Sequence, residues 1–513
     1  MLQATERALF TLLHKDGWPT QLDPLVHRLI IANQEGHTAI TLSEAEHAAC
    51  GGLSQWIQTR PGSGLFTLGK DWLAFERHAA QEARIARWFL SRLTAEDSVL
   101  TVDHAAALMP HADPSQHAAI QHALRHRTSL VLGGPGTGKT TTAAAIIVAH
   151  HLAFPAQTQR IALLAPTGKA AARLTQSLWH AIDAMPVAAD VVSCLPTSAR
   201  TIHSQLKQLS EAQLILVDEA SMISVELMDQ LLMQVHPTAK VIWLGDPNQL
   251  PSVEAGDVLG ALANHPAVGS LRVHLTRRHR IDGNQWLGEL QDLILAGDAS
   301  AFLQRLTDAN ALISPNDPQA LVEAMRKGYA SYFEGWLKGE PPDGLEFQCL
   351  AAIRQGPQGI DALNQVATGL AQRAGLKGQG TRLLVTENQP HLDLYNGDIG
   401  VLVAGDTQGP RLVSFGTTHP LIDLSQISQP MIAYALSIHR SQGSEYQDVL
   451  ITLPNHRALT HAQVTRELLF TAVTRAKRHV TLCAHPEDIE RAMASRTSRR
   501  TTLPERLDIN HHT

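Results

Sequence analysis

Ten consecutive residues have the types and spacing to hold a polyphosphate: Leu132-Gly133-Gly134-Pro135-Gly136-Thr137-Gly138-Lys139-Thr140-Thr141. Glycines without a Cβ let backbone N–H groups turn inward around phosphate oxygens, and a helix beginning there adds the positive end of its dipole. Lys139 is placed to reach the β- and γ-phosphates, and the Thr140 hydroxyl to ligate Mg²⁺. A glycine-rich loop that binds nothing is the plainer reading. The flanks argue against it: apolar Ser129-Leu130-Val131-Leu132 comes before, and a helix-forming run from Thr141 to Ala149 follows, which is the strand–loop–helix setting of a P-loop.

A second stretch supplies carboxylates. Leu214-Ile215-Leu216-Val217-Asp218-Glu219-Ala220-Ser221 is an apolar strand ending in two acids. Beside a P-loop strand, Asp218 faces Mg²⁺ and Glu219 can polarise an attacking water. An Asp-Glu pair by itself is usually solvated, so the strand before it and the P-loop upstream carry the reading. Another strand, Trp243-Leu244-Gly245-Asp246, runs into Pro247-Asn248-Gln249-Leu250-Pro251, where the Gln249 amide could sense a γ-phosphate or merely build a turn. Two arginines are candidates for stabilising transition-state charge: Arg280, ending Arg277-Arg278-His279-Arg280, and Arg475, in Phe470-Thr471-Ala472-Val473-Thr474-Arg475-Ala476-Lys477. On residue type alone, each also fits a surface arginine.

These groups need a scaffold. From about residue 109, short apolar strands alternate with helices, the pattern of a parallel sheet and an α/β fold. Strands are expected at 130–132, 160–164, 214–217 and 241–244, and in a second alternating region from about 270 at 348–352, 449–452 and 480–483. Between the latter, 381 to 424 is rich in Gly and β-formers and reads as a small β insertion with hairpin turns. Residues 1 to about 108 read as mainly helical. An extended run at 38–42 interrupts them, then Phe66 to Leu68 reads as a turn and Trp72 to Leu93 as a long helix. Nothing in that region carries chemistry, so it is either a packing domain or a docking domain. The tail is basic from Arg496 to Arg506.

At 513 residues the chain has room for about three or four domains. A net charge of −6 gives no general attraction for nucleic acid, so any such binding must come from a local groove. Cys50, Cys194, Cys349 and Cys483 stand far apart, which suggests reduced, mostly buried thiols rather than disulfides or a zinc site. The 27 histidines form no metal-binding spacing. With no leader-like start and no apolar run of spanning length, a cytoplasmic protein without membrane contact is expected.

In order and in content, these segments resemble the motifs of a superfamily 1 DNA helicase of the RecD type. Asp113-Pro114-Ser115-Gln116 with Ala119 resembles the Q motif, implying that Gln116 reads adenine. Ala165-Pro166-Thr167-Gly168-Lys169-Ala170-Ala171 resembles motif Ia and Thr201-Ile202-His203 motif Ib, which implies single-strand contacts at Pro166, Thr167, Lys169, Thr201 and His203. The acidic strand matches motif II, Gly245 to Gln249 motif III, and Leu275 to Arg280 motif IV, with Arg280 as its phosphate-contacting arginine. Ala435-Leu436-Ser437-Ile438-His439-Arg440-Ser441-Gln442-Gly443-Ser444-Glu445 resembles motif V. That match implies DNA contacts at Ser437, His439 and Ser441 and a link to the nucleotide at Glu445. Thr471 to Lys477 resembles motif VI, giving Arg475 the arginine-finger role.

The resemblance implies tandem RecA-like P-loop motor domains at about 109–270 and 271–500, an SH3-like insertion at about 381–425, an N-terminal domain at 1–108 and a tail at 501–513. It further implies ATP and Mg²⁺ as cofactors, 5′-to-3′ movement on single-stranded DNA, and assembly with RecB-like and RecC-like subunits in a helicase–nuclease of double-strand break repair and recombination (an exonuclease V complex). Gly36-His37 and the strand after it resemble a segment that docks on the RecC-like subunit. No Asp/Glu…Asp-x-Lys nuclease constellation is present. The rival readings are a free-standing 5′-to-3′ helicase, a P-loop ATPase acting on protein, and a motor that no longer turns over. Only ten residues, 204–213, separate His203 from the acidic strand where relatives place a strand-splitting hairpin, so duplex parting is expected elsewhere.

Overall fold

The computed structural model describes the chain apart from residues 1, 52, 54, 60–63, 95–106, 155–159, 278–283, 342–345, 405–410, 417–419, 456–463 and 510–513. Its described strands form four sheets. The first central sheet orders its strands Arg272–His274, Thr128–Leu132, Lys240–Gly245, Leu214–Val217, Ile161–Ala165 and Arg200–Thr201, every pair parallel. The second orders Leu312–Ile313, Ala476–Cys483, Tyr446–Thr452, Phe347–Ala351 and Ala435–Ser437, again all parallel. Helices cover both faces, so the inner strands read as continuous apolar runs rather than alternating ones. Leu130, Val131 and Leu132 have no exposed surface, and neither do Ile215, Leu216 and Val217.

Parallel order places the C-terminal ends of all strands in a sheet along one edge, where ligands of such folds collect. In the first sheet that edge carries the loop after Leu132, Asp218 after Val217, and Asp246 after Gly245. In the second it carries the loops after Ala351 and Ser437. Between these lies a five-stranded antiparallel sheet, in the order Ile422–Asp423, Leu412–Ser414, Ile399–Ala404, Arg382–Leu384 and Met431–Ile432, around its own core of Leu383, Val385, Leu394, Leu402 and Val413.

The N-terminal region is mainly helical, with helices Leu2–Lys15, Asp23–Gln34, Glu44–Cys50 and Glu76–Leu90, but two of its segments differ from expectation. Phe66–Leu68 is a strand rather than a turn. The long helix expected from Trp72 is a strand, Trp72–Phe75, followed by a helix, Glu76–Leu90. With Ala39–Thr41 and Ile57–Gln58 these strands make a four-stranded sheet. The helix Glu76–Leu90 also does not stay with the N-terminal region. Its Ile85, Ala86 and Phe89 join the core that includes Leu130, Ile215 and Trp243, with the Phe89 and Trp243 rings 5.9 Å apart. Arg84 fixes it there through two 2.8 Å hydrogen bonds to Asp229.

The tail is likewise built in, because Leu503 and Leu507 of the helix Leu503–Ile509 pack into that same core. Glu82, wholly buried, accepts from the Thr38 hydroxyl at 2.9 Å and the Thr502 N–H at 2.8 Å. The two ends of the chain thus close one face of the first central sheet. The Gly36–Thr38 segment is engaged within the chain as well, with Gly36 O accepting from Gly256 N–H and His37 Nδ1 from Arg500 N–H.

No described helix is long and apolar enough to cross a membrane. The four cysteines are free thiols, with Cys194 exposed and the others buried.

Candidate active site

The loop after Thr128–Leu132 turns into the helix Lys139–Ala153 through Gly136 at φ +76° and Gly138 at φ +80°, conformations that a side chain disfavours. Thr137 Oγ1 braces the turn by donating to Gly134 O at 2.9 Å. Lys139 Nζ donates to the carbonyl oxygens of Gly133 and Gly134 at 2.6 and 3.0 Å, so the ammonium lies over the mouth of its own loop. Pro135, Gly136, Gly138, Lys139, Thr140 and Thr141 line a cleft of about 770 Å³. Gly133, Gly134 and Thr137 stand behind that wall and shape it.

The acidic strand opens onto the same cleft. Glu219 adopts the left-handed region at φ 52°, a costly choice for a residue with a side chain, and its N–H donates to Asp218 Oδ1 at 2.9 Å. Burial and the adjacent Glu219 push the Asp218 carboxyl above the usual carboxylate range, against the pull of Lys139 and Arg173. Asp246, 2 % exposed, is raised by burial too and restrained first by Lys139. The Thr140 hydroxyl and the Asp218 carboxylate line the same cleft and are oxygen donors of the kind a hard dication such as Mg²⁺ takes.

Arg475 enters from the second sheet. It is 3 % exposed, and its guanidinium donates to Thr471 O at 2.9 Å, Thr474 Oγ1 at 3.1 Å, Ser444 O at 3.3 Å and Gln249 Oε1 at 3.0 Å. Gln249 passes the connection on, since its Nε2 donates to Asp246 Oδ2 at 3.2 Å. A polar chain therefore runs from one sheet to the other across the cleft. Thr471 Oγ1 accepts from Leu250 N–H at 3.0 Å and Gln442 Nε2 donates to Leu250 O at 3.1 Å, so the turn after Gln249 is held by the second half. Burial pulls the Arg475 guanidinium below its ordinary value, and Glu219 opposes this most.

Family models now bear on the chain. One described as an AAA domain matches residues 111–316, and one described as a UvrD-like helicase C-terminal domain matches residues 432–483. The RecBCD enzyme subunit RecD of Mycobacterium tuberculosis is 34% identical over 467 residues, spanning 85% of this chain and 80% of that one. The chain belongs to the RecD family. The ATP-dependent RecD2 DNA helicase of Deinococcus radiodurans is 29% identical over 403 residues, 76% of this chain and 52% of that protein. A solved structure of a Pif1 helicase from Bacteroides in complex with ADP-AlF3 and ssDNA is 14% identical, covering 76% of this chain and 93% of that one at a TM-score of 0.41.

Within this RecD-family chain the cleft holds a group that the motifs did not single out. Arg173, on the helix Gly168–Asp183, lines it and meets Glu445 at 2.7 Å, with Lys477 3.7 Å from the same carboxylate. Burial works to lower the Arg173 pKa, but Glu445, Glu219 and Asp218 outweigh it and raise it. Arg173 lies beside the unbroken apolar stripe Ala170, Leu174, Leu178 and Ile182 of its helix, so no local sequence signal marked it.

Other expected residues fall less simply. Gln116 is 3 % exposed, and its Oε1 accepts from Asp113 N–H at 3.2 Å, closing a helix cap. Arg280 lies outside the described residues. Pro166, Thr167 and Lys169 follow the strand Ile161–Ala165, while Thr201 and His203 end and follow its parallel neighbour, which brings the five to one stretch of the edge. Thr167 Oγ1 also caps its helix by accepting from Ala170 N–H at 3.2 Å. Ser437 and His439 occupy the corresponding edge of the second sheet, His439 exposed. Ser441 corrects the expectation: it is fully buried and its hydroxyl donates to Ile438 O at 2.7 Å, so it has no surface for DNA.

Proposed function

We propose that this chain is an ATP-dependent DNA helicase motor moving 5′ to 3′ on single-stranded DNA, acting in the cytoplasm as the motor subunit of a RecBCD-type helicase–nuclease beside RecB-like and RecC-like subunits. What supports the reading is the Arg475–Gln249 hydrogen bond at 3.0 Å, which carries a cation of the second sheet into the cleft that holds Lys139, Asp218 and Glu219 of the first. A charged group supplied by a second body makes hydrolysis depend on closure, and closure is movement.

In this reading Lys139 and the loop N–H groups hold the β- and γ-phosphates of ATP. Thr140 and Asp218 hold Mg²⁺, which when bound neutralises charge on the triphosphate. Glu219 orients the attacking water and accepts its proton, Gln249 reports the γ-phosphate to Asp246, and Arg475 faces the developing charge. Glu445 takes part through Arg173. The single strand runs along the edge formed by Pro166, Thr167, Lys169, Thr201 and His203 and onward past Ser437 and His439.

Residues 204–213 contain a helical turn and a 3₁₀ turn and no strand, which favours a single-strand translocase whose duplex is parted elsewhere in the complex. The subunit reading is preferred to a free-standing helicase because the chain is 34% identical over 467 residues to the RecBCD subunit of Mycobacterium tuberculosis and 29% identical over 403 residues to RecD2. The test is ATP turnover by the isolated chain with and without oligo(dT). Strong stimulation that disappears in Lys139→Ala is expected, and turnover indifferent to both DNA and Lys139 would remove the proposal.

A further inference from the structure

Of the five tyrosines, Tyr329, Tyr332, Tyr434 and Tyr446 are at most 2 % exposed, whereas Tyr395 is partly exposed. It stands in the turn Tyr395-Asn396-Gly397-Asp398 of the small antiparallel sheet, just before the strand Ile399–Ala404. The turn is tightly fixed. Asp398 Oδ2 accepts from Tyr395 N–H at 2.7 Å, Asn388 Oδ1 from Asn396 N–H at 2.9 Å, and Val385 O from Gly397 N–H at 2.9 Å, with Gly397 at φ +101°.

The side chain does not rest on its own sheet. It reaches the first half of the molecule at Gly168, where a Cβ would lie only 3.0 Å from both Tyr395 Cβ and Cγ. Glycine there lets the residue seat against bare backbone at the start of the helix Gly168–Asp183. Burial first, then Asp393, raise the Tyr395 phenol, and the charge of Arg200, at the start of the strand Arg200–Thr201, pulls the other way. Tyr395 thus rests on the loop Pro166 to Lys169, whose strand pairs with Arg200–Thr201 on the edge along which DNA was placed above.

We propose that Tyr395 is a base-stacking platform, taking one unpaired nucleobase of single-stranded nucleic acid without regard to its identity and clamping the strand between the small sheet and the first central sheet. Every base presents a π-face, so an aromatic side chain beside phosphate-binding cations grips sequence-tolerantly. Lys169 and Arg200 are the adjacent cations, and Gly168 seats the side chain before any strand arrives. Because the platform belongs to the second half and its seat to the first, relative movement of the halves shifts its grip. The inference rests on the DNA-motor reading above.

The experiment titrates the full chain, and its Tyr395→Ala and Tyr395→Phe variants of equal melting temperature, against oligo(dT) carrying one 2-aminopurine, at several salt concentrations. The wild type and Tyr395→Phe are expected to quench the 2-aminopurine. Tyr395→Ala should lose the quench and bind about 5- to 150-fold more weakly, with an unchanged slope of log K against log salt because no phosphate contact is removed. Equal affinity and quench in Tyr395→Ala, a Tyr395→Phe variant as weak as Tyr395→Ala, or a reduced salt slope would each overturn the platform and leave the motor standing. A wild type that binds no oligo(dT) would overturn both.

Discussion

The Arg173–Glu445 pair makes a quantitative prediction. The contact is 2.7 Å, with side chains 35 % and 11 % exposed, so it is neither a surface pair nor a dry one. Two unit charges about 4 Å apart at an effective dielectric near 20 attract by about 4 kcal/mol, and desolvation offsets much of that. Lys477, 3.7 Å from the same carboxylate, remains as a substitute partner once Arg173 is gone. The net coupling should therefore fall near about 1–2 kcal/mol, close to a charge-assisted hydrogen bond. The perturbation is a double-mutant cycle of Arg173→Ala and Glu445→Ala, read as kcat/KM for ATP under saturating oligo(dT). The double variant should retain about 5- to 30-fold more activity than the product of the single losses predicts. Losses that multiply, leaving less than about 0.5 kcal/mol of interaction, would refute the claim that these two side chains act as one unit across the cleft.

Arg475→Lys should be nearly as damaging as Arg475→Ala, with kcat down on the order of 10³-fold or more, because an ammonium cannot span Gln249, Ser444 and Thr471 together; single-turnover ATP hydrolysis measures this. Gly138→Ala forces a side chain to φ +80° and should cost about 1–3 kcal/mol, visible as a lower melting temperature together with a raised KM for ATP. His78, 4 % exposed, is held down to about 4 from 6.5, by burial first and then by Arg77, so the folded ring stays neutral while the unfolded one takes up a proton. Stability is complete above pH 6.5 and drains as pH falls toward 4, by up to about 3 kcal/mol; urea midpoints across that window should flatten in His78→Gln.

Much of the motor was legible because its signals are local. The strands carry uninterrupted apolar runs at 130–132, 214–217 and 241–244, and Gly136 and Gly138 of the P-loop sit where φ is positive. What escaped depends on partners far along the chain. Strands of three and four residues at 66–68 and 72–75 carry too little alternation to announce a sheet, and they are strands because they pair with each other and with 39–41. A boundary near residue 108 separates the helix Glu76–Leu90 from the sheet it covers, since composition does not reveal that Phe89 meets Trp243. The tail helix is fixed through Thr502 and Glu82, 420 positions apart. Within the site, Ser441 has the right chemistry for DNA contact, but it is fully buried and its hydroxyl is given to the Ile438 carbonyl.

The account turns on one cleft, shared by two sheets, whose closing hauls a strand. Streptavidin displacement from biotinylated oligo(dT) tests it most directly, using the isolated chain and ATP. The account predicts ATP-dependent displacement from a 3′ biotin, lost in Lys139→Ala and Arg475→Ala. Displacement from the 5′ end alone, or none at either end while ATP is being consumed, would contradict it.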